Sequence, residues 1–526
     1  MLLFQNGIIH SMDPAHPRPE CVAVGFDGRI AYAGDLIGAP AGARVRRVDL
    51  QGRTLIPGFN DAHVHIWKLG LLLTVQVDAR GAAAPDIPAI IRAFQARAQV
   101  TPPGVWLTGR GYNEAELPER RHLTRADLDE ASTQHPIALT RTCGHMIVAN
   151  SRALELAGIT RDTPNPPGGV IVRDEQGEPT GLLQETAQGL VTRVIPDVDH
   201  ATLAQAIQAA NQHQLALGIT SATDPLLTPL HLSVYRQLER EGGLAVRVHG
   251  LPIRRPDGGT ETLPLPERFN SDFLRVDGVK FFADGGLSGA TAAISQPYKE
   301  IGNCGVLRFE DEELFELMWE AHEAGFRIAT HAIGDVAIEQ VITAYERLYA
   351  RKPDAGLRHR VEHLGLPSAE HLQRARALNL IAVPQTIFLY ALGKTYRRYL
   401  PDVFYPRCFP VRAMLDAGLT VALSSDAPVV ADDSPLTGMK AALDRLDSTG
   451  QPIAPEQAIT AAEALYAYTM GGALASGDDA NRGSLTPGKW ADIAVLDGDP
   501  LATDPASLPG IRVTQTYVGG ELVCEG

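Results

Sequence analysis

Short runs rich in β-branched and aromatic residues, each ending on polar positions, alternate along this chain with segments whose apolar residues recur at helical spacing. That alternation predicts parallel βα units. Eight strands are expected, at 55–65, 218–224, 244–250, 276–285, 326–335, 357–364, 380–386 and 420–428. Between them, Leu314, Leu317, Met318 and Ala321 share one helical face that stops at Gly325. Ile338, Val341, Ile342, Tyr345 and Leu348 mark a second helix, with Asp335 as its expected N-cap, and Pro367 and Ser368 open a third. The fold class this predicts is α/β, a (β/α)8 (TIM) barrel.

Two regions break the simple alternation. The first and second strands are separated by about 150 residues, too many for a bare βα connection, so an insertion is expected over 70–210. It carries strand-like pieces at 106–114, 136–151 and 168–185 and a helix at 203–217, and is expected to shape the substrate pocket. Both ends of the chain alternate apolar and polar residues, as antiparallel strands do, yet neither is long enough for a core of its own. Residues 1–54 and 483–526 are therefore expected to form one composite β-sandwich around a barrel domain spanning 55–482.

Composition narrows the classes of function. The net charge is −15, from 47 basic and 62 acidic residues. With no long basic run, nucleic acid and anionic membrane are excluded as expected partners, which leaves a small-molecule substrate and, as an open point, a homo-oligomer. The opening MLLFQNGIIHSMDP lacks the pattern of a signal peptide, and no run of 18 apolar residues occurs, so the cytoplasm is the expected location. Five scattered cysteines without a CxxC pair indicate neither a disulfide framework nor a thiolate metal site.

Candidate chemistry sits at the strand ends. His63 and His65 flank Val64, and alternate residues of a strand project to one side, so both imidazoles could face the barrel mouth. With 16 histidines in the chain, one accidental HxH pair is roughly an even chance, and the motif needs context. Lys280 on the fourth strand, His331 on the fifth, His363 on the sixth and Asp426 on the eighth supply it, because barrel enzymes build their sites at this face.

The stretches IPGFNDAHVH, GRGYNE, GHMIVANSRAL, KFFADG, THAIGD, VEH, SSDAP and GSLTPGKWADIAVLDGDP together resemble the amidohydrolase superfamily, and within it amidohydrolase family 3, the YtcJ-like metal-dependent hydrolases. The resemblance runs through nearly the whole chain. It implies a binuclear centre of two divalent metal ions, with His63, His65 and Asp426 on one, His331 and His363 on the other, and carbamylated Lys280 as the bridging ligand. Nitrogen and oxygen donors suit Zn²⁺, and equally Mn²⁺, Fe²⁺, Co²⁺ or Ni²⁺. Glu185 is the alternative bridge.

The activity implied is hydrolysis of a non-peptide C–N bond by activated water, with Asp426 as the catalytic base and then acid. Arg110, Tyr112, Asn113, His145 and Glu185 are the candidate substrate-binding residues. A mononuclear deaminase, a phosphotriester or lactone hydrolase, and a non-catalytic scaffold are the rival readings of the same barrel.

Overall fold

The computed structural model describes residues 1–256, 261–353 and 356–526. All eight expected strands are present, in order: β1 (Phe59–Asp61), β2 (Ile219–Leu227), β3 (Arg247–Pro252), β4 (Gly278–Phe282), β5 (Arg327–Ala332), β6 (Arg360–His363), β7 (Ile381–Val383) and β8 (Thr420–Val421). β1 to β3 run parallel in one sheet and β4 to β8 parallel in another. A parallel bridge from Ile253 to Lys280 and the bond from Arg254 N–H to the Lys280 carbonyl join the two sheets at β3 and β4. At the opposite edges, Asp426 N–H donates to the His63 carbonyl at 2.7 Å and His65 N–H to the Ala427 carbonyl at 2.9 Å. The residues leaving β1 and β8 are thereby tied to each other.

The helices follow their apolar stripes. Asp311–Glu323 buries Leu314, Met318 and Ala321, and Ala369–Ala377 starts at Ser368, whose hydroxyl accepts the His371 amide. One expectation shifts by a residue. Gly334, not Asp335, caps Asp335–Arg351, and the Asp335 carboxylate instead accepts from the Ser295 amide and hydroxyl.

The run expected as one strand at 55–65 is divided. Thr54–Pro57 pairs with Ile493–Leu496 and Ile8–Ile9 in a terminal sheet, and only Phe59–Asp61 enters the parallel sheet. The break falls at Gly58, whose amide bonds the Asp492 carbonyl and where a Cβ would lie 2.2 Å from Thr220 Oγ1. A side chain at this crossing would force the two sheets apart. The terminal strands form two sheets, one of four strands (Leu2–Gln5, Cys21–Val24, Ile30–Gly34, Arg46–Asp49) and one of five completed by Val513–Val518 and Glu521–Glu525. Phe4, Val22, Leu55, Ile493 and Tyr517 are buried together between them.

The strand-like pieces of the long connection form a six-stranded mixed sheet with Met146–Ala149 and Ile137–Arg141 at its centre. Residues 70 and 210, its expected limits, each fall inside a helix, Ile66–Thr74 and His200–Ala216. These two helices pack closely, with Gly70 against Ala206. All five cysteines are free, and no helix among the described residues is long and apolar enough to cross a membrane.

Candidate metal centre

His63 and His65 lie on the turn that leaves β1, not on the strand itself, so their convergence comes from the turn and not from strand alternation. The turn is pinned. Asp61 accepts from the His63 amide, the Ser425 amide and the Ser425 hydroxyl, binding the exits of β1 and β8 together. Asp426 follows with φ +53°, and His363 closes β6 with φ +70°, both in the left-handed region that L-residues seldom adopt.

Each imidazole has one nitrogen engaged by an acceptor and so must present the other bare. His63 Nδ1 lies 2.5 Å from Glu362 Oε2, and His65 Nδ1 lies 3.2 Å from the Pro225 carbonyl. His363 Nδ1 meets Gln385 Oε1 at 2.6 Å, and Gln385 is oriented by donating its amide to Val383 O and Ser424 Oγ. His331 Nε2 lies 3.0 Å from the Gly285 carbonyl, and its Nδ1 is buried without a partner. Since carbonyl and carboxylate oxygens only accept, the protons sit on the engaged nitrogens.

The bare sides of His63 and His65 face Asp426. Asp426 Oδ1, itself buried without a hydrogen bond, lies 3.2 Å from His65 Nε2 and 3.6 Å from His63 Nε2. Three acceptors so placed repel unless a cation lies among them. His63, His65 and Asp426 are the one group among the described residues with ligand atoms all within 4.8 Å. The His363 ring is 5.0 Å from that of His63 and 4.5 Å from that of His331, which extends the cluster to all four imidazoles.

Burial holds His63, His65 and His331 well below the usual imidazole range, and His363 at about 3. All four are neutral, the state that ligates a metal. Lys280 is fully buried on β4, its Nζ is without a hydrogen-bond partner and stands 4.6 Å from the Phe282 ring centre. Burial brings its amine down to about 8, against the opposing pull of Glu362 and Asp426.

The expected substrate residues divide. Arg110 and His145 line a cavity of about 60 Å³ together with His63, His65, His331, His363 and Asp426. Glu185 lies behind His145, its Oε2 3.1 Å from His145 Nδ1 and 3.1 Å from Arg308 Nη2. Tyr112 and Asn113 do not reach the cavity wall. Tyr112 is enclosed in the apolar core of the inserted sheet with its hydroxyl on His122, and Asn113 bonds Arg141, Glu116 and Thr395. Their neighbour Glu114 forms a buried two-point pair with Arg141, and burial opposed by that charge leaves its carboxyl at about 2. The GYNE stretch thus fastens the inserted sheet from behind.

Sequence reasoning missed Glu362 and Gln385, which orient His63 and His363. Glu362 adjoins His363 in VEH, and an acidic residue beside a candidate ligand on a strand was the available signal. Gln385 carried none.

The amidohydrolase family profile matches residues 46–524. YtcJ of Bacillus subtilis (strain 168), an amidohydrolase by name, is 32% identical over 538 residues, covering 99% of each chain. An N-substituted formamide deformylase of Arthrobacter pascens is 30% identical over 536 residues, covering 99% of this chain and 98% of its own. Among solved structures, an uncharacterized metal-dependent hydrolase from Pyrococcus horikoshii OT3 superposes with a TM-score of 0.75 at 26% identity, covering 96% of this chain and 99% of that one. With a profile match over most of its length and two full-length relatives, the chain belongs to the amidohydrolase family of hydrolases.

Proposed function

We propose that the protein hydrolyses a non-peptide C–N bond of an amide, using two divalent metal ions, zinc foremost, held by His63, His65, His331, His363, Asp426 and a carbamylated Lys280. The observation that carries this reading is the convergence of bare, neutral imidazole nitrogens on an unpartnered Asp426 oxygen. The residues fit the group they would hold: the donors are nitrogen and oxygen, buried, and each His is oriented from behind. The eight strands are read as one (β/α)8 barrel, with 1–54 and 483–526 as a composite sandwich beside it.

Bound divalent cations lower the pKa of water and polarise a carbonyl. The chain's own groups do the rest. Asp426 takes the proton of the attacking water and returns it to the departing nitrogen, and its place on the cavity wall gives it access to both. His145, backed by Glu185 and Arg308, is set to contact the substrate oxygen. Lys280, as a neutral amine, adds to carbon dioxide, forming an N–C bond and releasing one proton. Glu185 is engaged by His145 and Arg308, while the carboxylates acting on Lys280 are Glu362 and Asp426, which favours Lys280 over Glu185 as the bridge.

The deformylase name of one relative makes small N-acyl groups the first substrates to try. The test is a screen of the metal-loaded protein against N-formyl and N-acetyl amides and cyclic amides, with phosphotriesters and lactones as controls. Amide turnover that a chelator abolishes and added metal restores is expected. Turnover confined to the phosphotriesters or lactones overturns the reading, and full activity with one metal per chain replaces the binuclear centre with a mononuclear one.

A further inference from the structure

A second cavity, of about 590 Å³, adjoins the small one above Asp426. The two share a wall made of Lys68, Arg110, Gly144 and Leu226. Beyond that wall the larger cavity is largely apolar, lined by Leu71, Ala138, Ile147, Val198 and Leu203 among others. Its carboxylate, Asp197, is exposed. A largely apolar space of this size with a few placed polar groups is the usual form of a small-molecule site.

Arg110 is the unusual group on the shared wall. It is 7% exposed, yet its guanidinium makes no hydrogen bond or ion pair with any described residue, and its Nε is buried without a partner. Three other deeply buried arginines each face a carboxylate: Arg141 has Glu114 at 2.7 Å, Arg247 has Asp492 at 2.8 Å and Arg360 has Glu362 at 2.7 Å. Gly144 leaves room for the Arg110 fork, since a Cβ there would come within 3.0 Å of Nη2. Trp67, on the larger cavity, adds a second buried donor without an acceptor, its Nε1. Donors left unsatisfied by the chain call for an acceptor-rich ligand, and the planar guanidinium matches a carboxylate at two points.

The cavity beside Asp426 is the smaller of the two, about 60 Å³ against about 590 Å³, so the bulky half of a ligand belongs in the second. We propose that the substrate is the N-formyl or N-acetyl derivative of an amine that carries both a carboxylate, gripped by Arg110, and a bulky apolar group, seated in the second cavity. An N-acetylated apolar amino acid has this form. The proposal rests on the C–N hydrolase reading for its scissile bond, but the binding site it assigns does not.

The probes are N-acetylphenylalanine in both enantiomers, its uncharged carboxamide, and N-acetylalanine. In the metal-loaded enzyme, kcat/KM for the preferred N-acetylphenylalanine enantiomer is expected to exceed that for its carboxamide by about 10- to 100-fold, the worth of hydrogen bonds to a charged partner. In Arg110→Met that ratio falls to near one, whatever happens to the absolute rates. Replacing phenylalanine by alanine costs the wild type about 10-fold or more. A wild-type ratio near one, or a ratio that survives in Arg110→Met, overturns the assignment. Calorimetric binding of the same compounds to both proteins separates the two readings. If no amide is turned over, Arg110-dependent binding of the carboxylate still supports the site while the hydrolase reading fails, and binding indifferent to Arg110 sinks the site itself.

Discussion

Glu362 holds His63 from behind: the carboxylate Oε2 lies 2.5 Å from His63 Nδ1, while Arg360 grips both Glu362 oxygens, at 2.7 and 2.9 Å. Burial would raise this carboxyl, but the charges of Arg360 and Lys280 keep it below the usual carboxylate range. An ionised Glu362 makes the imidazole a better donor to a metal and fixes its ring. Glu362→Gln is expected to weaken metal affinity by about 10- to 100-fold, read by competition with a metal buffer. Unchanged affinity would remove Glu362 from the centre.

The proposed two-metal centre stands or falls with Lys280. Burial lowers its amine to about 8, which raises the share of the neutral form that reaction with carbon dioxide requires. Lys280→Ala is expected to halve the metal bound per chain, and a carbamate carbon signal seen by NMR after exchange with labelled bicarbonate should vanish in the variant. Two metals in Lys280→Ala would assign the bridge elsewhere.

Asp426→Asn separates holding a metal from moving a proton. The amide keeps an oxygen donor but takes up no proton at working pH. A fall in kcat of about 100-fold or more, with metal still bound, is the expected outcome for loss of a general base. Near-normal kcat would rule that role out.

The helix that leaves His65 is fitted to its neighbour without slack. A Cβ on Gly70 would sit 1.9 Å from the Ala206 carbonyl oxygen, whereas one on Gly510 would meet nothing within 4 Å. Gly70→Ala should therefore destabilise by about 1–3 kcal/mol. Gly510→Ala should change the melting temperature little, and equal effects of the two would argue against the packing account.

The eight strands were legible because each is a local pattern, an apolar run with a polar residue at its end, and those ends offered His63, His65, Lys280, His331, His363 and Asp426 as candidates. What escaped depended on partners distant in sequence. The split of 55–65 at Gly58 follows from the approach of Thr220 and Asp492, which no local window contains. Tyr112 and Asn113 were expected in the pocket from their motif, yet the strand that brings Arg110 to the cavity sends its continuation towards Arg141 and the inserted core. Gln385 orients His363 only because β6 and β7 are neighbours. Periodicity reports which side of an element is apolar; it does not report what stands opposite.

His213 ties the helix His200–Ala216 to the segment after Asp426, its Nε2 2.9 Å from each Asp433 oxygen. That hydrogen bond, with the Asp433 charge, raises the His213 pKa above its ordinary 6.5 despite partial burial. The folded state thus favours the protonated ring. The sign follows directly: a raised pKa contributes stability that is fully present below the unfolded value and is lost as pH rises through the folded one. His213→Gln should accordingly lower the melting temperature most at about pH 5.5, with the difference from wild type closing by about pH 9. Thermal melts of both proteins across that range check it. A difference that widens with pH would mean that His213 is held neutral and that Asp433 has another counter-charge.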